Sequence, residues 1–147
     1  MNATADQAPT ATQLRRRHLS IGWLSLFLFA LLGVALEAMH AFKLDAYLHP
    51  ANETRRLLLR LAHAHGLGLA MLHVAYAFTA SSLREAPKFA GPCLTGALVA
   101  MPAGFLLGGL SHQGGDPGAA IALVPLGALL LLVAIAATAV AVRRNVV

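Results

Sequence analysis

Residues 57–80 read LLLRLAHAHGLGLAMLHVAYAFTA, an apolar run that contains one arginine and three histidines. A run of this length crosses a hydrocarbon core about 30 Å thick as an α-helix. A helix is required because lipid offers no partner for unpaired backbone groups. Similar runs occupy residues 19–42, 92–110 and 118–142. The sequence therefore predicts an all-α polytopic membrane protein, a bundle of four transmembrane helices running up-down-up-down.

The composition agrees with a membrane environment. Apolar residues make up 58% of the 147 positions and charged residues 12%, against roughly 25% charged in soluble domains. The mean hydropathy is +0.69. Residues 1–13 are small and polar, which predicts a disordered tail. Residues 14–147 then form a single transmembrane domain.

Basic residues give the chain a net charge of +5 and a pI of about 10.4. They flank the apolar runs, which favours contact with lipid headgroups and predicts no nucleic-acid partner. Seven lie on the side of the two termini and four on the other, so both termini are predicted to be cytoplasmic. The Ala- and Leu-rich composition favours a bacterial inner membrane. The seven are Arg15, Arg16, Arg17, Arg84, Lys88, Arg143 and Arg144; the four are Lys43, Arg55, Arg56 and Arg60.

Small residues predict close helix packing. Gly104 and Gly108 form a GxxxG pair in the third span, and Pro102 and Pro125 are expected to kink their helices. The second span carries two faces of small residues, which predicts neighbours on two sides, as in a bundle centre, a homo-oligomer or a larger membrane complex. One face holds Ala62, Gly66, Ala70 and Ala77, and the other holds Ala64, Gly68 and Ala75.

Ionisable residues inside a span are costly and by default suggest function. Span one ends, span two begins and span three ends on one side of the membrane. This topology brings five residues to one depth on the non-cytoplasmic half, where they could bind a metal ion. These are Glu37, His40, His63, His65 and His112.

Helical geometry limits which of these side chains can share a ligand. Glu37 and His40 are one turn apart and about 60° around the helix, so both can face one site. His63 and His65 are about 200° apart, so one could bind a ligand while the other pairs elsewhere. His73 lies deeper, on the same broad side as His63. We therefore name His63, His65 and His73 as candidate cofactor ligands.

Each candidate also has a structural interpretation. Glu37 could form an ion pair with Arg60 or with a histidine. His40 and His112 could be interfacial, and His73 could be a hydrogen-bonded packing residue. His18 and His49 are expected to be exposed.

The segment Ala62-His63-Ala64-His65 at the start of a span, with Tyr76 beyond it, resembles small standalone relatives of haem-copper oxidase subunit I. The preceding span is also similar, with Gly33, Met39, His40 and Phe42 ahead of a short loop. The resemblance covers about the first 80 residues. It implies a haem or metal ligand at His63 or His65. It does not imply oxygen reduction, because four spans cannot supply the helices and ligands of such an oxidase.

A second resemblance is to the membrane-associated glutathione transferases, through the Arg-rich entry into span two (Arg55, Arg56, Arg60 and His63). It implies an anionic thiol cofactor bound near helix ends. The sequence thus leaves three functions open. They are a protein that binds haem b or a transition metal for electron transfer or metal handling, a non-catalytic accessory subunit, and a transferase-like enzyme.

Overall fold

The computed structural model describes residues 10–111 and 115–145. Within them the chain is almost entirely helical, and four helices are long and apolar enough to cross a membrane. The predicted all-α four-helix architecture is confirmed. The four long helices are α1 (Ala11–Ala41), α3 (Glu53–Ser81), α4 (Ala90–Leu110) and α5 (Leu123–Asn145), and a short α2 (Asp45–Leu48) lies between the first two.

Helix α1 begins earlier than the predicted first span. Thr10 caps it: its hydroxyl accepts from the Gln13 backbone N–H at 3.3 Å, and its own N–H donates to Gln13 Oε1 at 3.0 Å. This capping box satisfies two backbone donors at the helix start. The predicted tail of residues 1–13 is therefore too long, since residues 11–13 are helical, while residues 1–9 lie outside the described part.

Helix α1 ends in a Schellman motif, where Lys43 takes a left-handed φ of 50°. The Lys43 N–H donates to the His40 carbonyl and the Leu44 N–H to the Met39 carbonyl, which satisfies carbonyls at the helix end. The chain then folds back through α2. There Tyr47, only 3% exposed, packs in a small core with Leu36 and Leu59.

The bundle has two distinct ends. The loop end contains the connection 42–52, residue 111 and residues 115–118. The basic end contains the start of α1, the connection 82–89 and the end of α5, with Arg15, Arg16, Arg17, Arg84, Lys88, Arg143 and Arg144.

Helices pack in the order α1, α3, α4, α5, so α3 and α4 occupy the middle. The first small-residue face of α3 is buried, with Ala62, Ala70 and Ala77 all 0% exposed. The second face, Ala64, Gly68 and Ala75, is exposed instead. Helix α3 does have two neighbours, α1 and α4, but both pack on the first small-residue face and its flanks. The second face is not used for this packing.

The GxxxG pair of α4 packs against the entry to α5. A Cβ added to Gly104 would meet Val124 Cγ2 at 2.9 Å and the Ala120 carbonyl at 3.1 Å. Pro102 lies inside α4, as predicted. Pro125 lies in the first turn of α5, directly after a 3-10 turn at Ala119–Ala122. A proline is tolerated there because first-turn N–H groups have no partner within the α-helix.

Candidate functional site

A cavity of about 450 Å³ opens between α1 and α3 at the loop end, with α2 as its third wall. We call it the loop-end cavity. It collects three of the predicted site residues, Glu37 and His40 from α1 and His63 from α3. Arg60 and Tyr47 line it as well. Its volume falls within the range of small-molecule sites, about 300–1,000 Å³.

His63 is held in one orientation across the α1–α3 interface. Its Nδ1 lies 2.8 Å from the Phe29 backbone carbonyl. Because a carbonyl only accepts, Nδ1 must carry the proton, and in neutral imidazole the lone pair is then on Nε2. Histidines that bind a metal through one ring nitrogen commonly donate the N–H of the other ring nitrogen to a backbone carbonyl.

Gly33 makes the position of the His63 ring possible. A Cβ at residue 33 would collide with the ring, closest to Cε1, and would meet Nδ1 at 2.9 Å and Nε2 at 3.0 Å. One turn away, the glycine belongs to α3 and the ring to α1: the Phe29 ring occupies the space where Gly66 lacks a Cβ. A glycine on each helix therefore receives an aromatic ring from the other, and these contacts fix the rotation of α3 against α1.

His65 is not part of the loop-end cavity. Its Nδ1 donates to the Leu61 carbonyl of its own helix at 2.9 Å, and its ring lies against Phe105 of α4 with centroids 4.8 Å apart. His63 and His65 therefore face different neighbours, as their spacing predicts. His112 lies outside the described residues.

The arginines at the start of α3 have three different environments. Arg60 lines the loop-end cavity. Arg56 Nη1 donates to the carbonyls of Tyr47 at 3.3 Å and Leu48 at 3.2 Å, tying α2 to α3. Arg55 Nε is buried without a hydrogen-bond partner among the described residues. The three side chains therefore do not form one anion site as the structure stands.

Two histidines meet at the other end of the α1–α3 interface. His18 Nδ1 and His73 Nδ1 are 2.8 Å apart, and the side chains are 2% and 0% exposed. The expectation that His18 is exposed is wrong, because α1 begins early enough to carry it into the interface. His73 is a hydrogen-bonded residue, as its structural interpretation predicts, but its partner comes from another helix. This contact separates His73 from the loop-end cavity.

The His18–His73 pair can hold a limited number of protons. One Nδ1 must donate and the other must accept, so at least one imidazole is neutral while the contact lasts. The Tyr76 ring lies edge-on to His18 at 4.8 Å between centroids. A Cβ at Gly91 of α4 would meet His18 Nε2 at 2.7 Å. The buried Nε2 of His73 has no hydrogen bond of good geometry within the part of the chain that the structure describes.

A signal for this pair exists in the sequence. In antiparallel helices, a histidine at the start of span one and a histidine near the end of span two lie at the same end. Depth alone could have suggested the contact. What the sequence did not reveal was that the helix extends back through Arg15–Arg17 and therefore includes His18.

The chain matches no protein-family model, no curated protein sequence and no solved structure. The assignment of function therefore rests on the residues and their geometry.

Proposed function

We propose that this chain is a small membrane protein that binds haem b, or a transition metal ion, in the loop-end cavity for electron transfer or metal handling. The observation that carries the proposal is the orientation of His63. Its Nδ1 is engaged by the Phe29 carbonyl, so its Nε2 is the nitrogen that can bind a metal. Glu37 and His40 line the same cavity.

The donor set favours haem over a metal ion held by protein side chains alone. Within the described residues, no group of three or more His, Cys, Asp and Glu side chains is placed to hold a metal ion. Haem iron already has its porphyrin ligands and takes one or two more from the protein. His63 would be the residue that holds the haem iron, and the missing Cβ of Gly33 gives the His63 imidazole its space.

The remaining residues of the cavity would place and tune the bound group. Haem supplies one-electron chemistry when bound. Arg60 offers a guanidinium, which pairs well with carboxylates such as those of a porphyrin. Glu37 and His40 are suited to accept or release a proton near the group. We also propose that the basic end faces the cytoplasm, which places this chemistry on the opposite side.

The test is absorption spectroscopy with metal analysis on detergent-purified protein. The wild type should show a Soret band or stoichiometric metal. His63→Ala should lose it, whereas His65→Ala should keep it because His65 faces α4. Two results would refute the proposal: a folded wild type that is colourless and metal-free, or equal loss in both variants.

The exposed small face of α3 supports a second candidate, a non-catalytic accessory subunit. A Cβ added to Gly68 meets nothing within 4 Å, and Ala64 and Ala75 lie on the same open face. Small residues allow another transmembrane helix to approach closely. Gly68→Leu should then prevent co-purification with a larger membrane complex while the isolated chain still folds. Unchanged co-purification would argue against this role.

A further inference from the structure

A second cavity, of about 500 Å³, lies between α3, α4 and α5 near the basic end. We call it the basic-end groove. Tyr76 and Ala75 contribute from α3, Leu94 from α4, and Ala134 from α5. Arg143 lines it at the end of α5. The groove is separate from the loop-end cavity, which lies between α1 and α3 at the opposite end.

The two threonine hydroxyl groups of the groove are already hydrogen-bonded. Thr79 Oγ1 donates to the Ala75 carbonyl at 3.0 Å, and Thr138 Oγ1 donates to the Ala134 carbonyl at 2.7 Å. Each threonine hydroxyl therefore donates its hydrogen bond to a carbonyl of its own helix. The walls of the basic-end groove therefore make mainly apolar contacts with a ligand, which suits a hydrocarbon chain.

Among the residues that line the groove, the charged one is Arg143, at the basic end. Arg143 is exposed and is followed by Arg144. A guanidinium binds a phosphate through paired N–H donors, and basic residues next to membrane helices attract anionic lipids. An occupant that matches both features has an apolar chain and an anionic head.

We propose that the basic-end groove binds one acyl chain of an anionic phospholipid, with the lipid phosphate held by Arg143. A second copy of this chain fits less well. Two copies related by an axis along the membrane normal would bring their basic ends together, and like charges across an interface oppose association. A phospholipid neutralises Arg143 instead.

The test compares phosphatidylglycerol with phosphatidylcholine of identical acyl chains, each added to the detergent-purified full chain, with bound lipid counted by native mass spectrometry. Wild type should prefer phosphatidylglycerol. Arg143→Gln should reduce this preference by roughly fivefold, the effect of one basic side chain near an anionic surface. The matched control is Arg144→Gln, which should change it less.

A second pair of variants tests the groove at exposed positions: one variant fills the groove and the other adds the same side chain outside it. Ala75→Phe should abolish retention of both lipids, because Ala75 is an exposed residue of the groove wall. Ala64→Phe, on the same exposed face but outside the groove, should bind as wild type does. Equal binding of the two lipids to wild type, or equal behaviour of the two phenylalanine variants, would overturn the proposal. So would Ala75→Phe dissociating a dimer while lipid binding stays unchanged.

Discussion

His18 and His73 form a buried contact between two long helices that neither residue could make alone. Each imidazole is removed from water and gains one hydrogen bond in return. A buried polar group that loses its partner costs more than the bond itself contributes. The pair therefore fixes how the first turns of α1 lie on α3.

Replacing both members of this pair should lower the stability by less than the two single replacements together. His73→Leu or His18→Leu leaves a buried imidazole without its partner and should lower the free energy of unfolding by about 1–3 kcal/mol. The double variant removes both polar groups and should lose less than the sum of the single variants. Thermal or denaturant unfolding in detergent measures this cycle. Strict additivity of the two losses would contradict a direct interaction.

We expect that Gly33 is required for the His63 ring to keep its position in the loop-end cavity. Gly33→Ala places a methyl group against the His63 ring, so the ring must leave the Phe29 carbonyl or the helices must separate. We expect loss of the His63-dependent absorption band and lower stability.

Gly68→Ala is the matched control for that change. It lies on α3 with open space around the new Cβ, and alanine is favoured over glycine within a helix by about 0.5–1 kcal/mol. This variant should be unchanged or slightly stabilised in the same unfolding measurement. A Gly33→Ala protein that behaves like the control would show that the close contact is not required.

At the scale of elements, α4 and α5 make close contacts at glycine positions of α4, beside the packing of larger side chains such as Leu130. A Cβ added to Gly104 would meet Val124 Cγ2 at 2.9 Å and two backbone atoms, the Val124 nitrogen and the Ala120 oxygen, at 3.1 Å each. Among the described residues, a Cβ added to Gly96, also on α4, would meet only the end of the flexible Leu130 side chain, at 2.9 Å. The two positions differ in what has to move when a methyl group is added.

Gly104→Ala should therefore destabilise the protein more than Gly96→Ala. Backbone cannot yield without shifting α5, and an overpacked contact of this kind costs typically about 1–3 kcal/mol. At Gly96 a change of Leu130 rotamer is sufficient. Unfolding of both variants in the same detergent provides the comparison, and equal losses would contradict the backbone contact.

At the scale of the whole molecule, the two outer helices present most of their surface outward. In the most apolar 18-residue stretch of each helix, 11% of the residues are buried in α1 and in α5. The corresponding share is 39% in the span that contains α3 and 50% in α4. Such surfaces suit a bilayer, where apolar side chains face lipid tails. The two central helices supply most of the buried core, and α3 forms one wall of each cavity.

The antiparallel order also predicts which connections share a side of the membrane. In a Cys93→Ala background, Asp45→Cys and Ser82→Cys place single thiols at the loop end and the basic end. A membrane-impermeant thiol reagent added to intact cells should label Asp45→Cys and should reach Ser82→Cys only after permeabilisation. Labelling of both from outside would contradict the topology, and the reverse pattern would invert the proposed orientation.

The amino-acid sequence by itself determined the four spans and their antiparallel order. These follow from hydropathy and from the fixed rise of about 1.5 Å per residue, which are properties of one helix. It also placed Glu37, His40 and His63 at one level.

Only the tertiary structure decided which side chains meet at a given level. His63 faces α1 and His65 faces α4 because Gly33 and Gly66 each admit a ring from the neighbouring helix. His18 joins His73 because a capping box at Thr10 starts α1 early. Rotation about a helix axis depends on contacts between helices, so the pattern within a single span could not specify it.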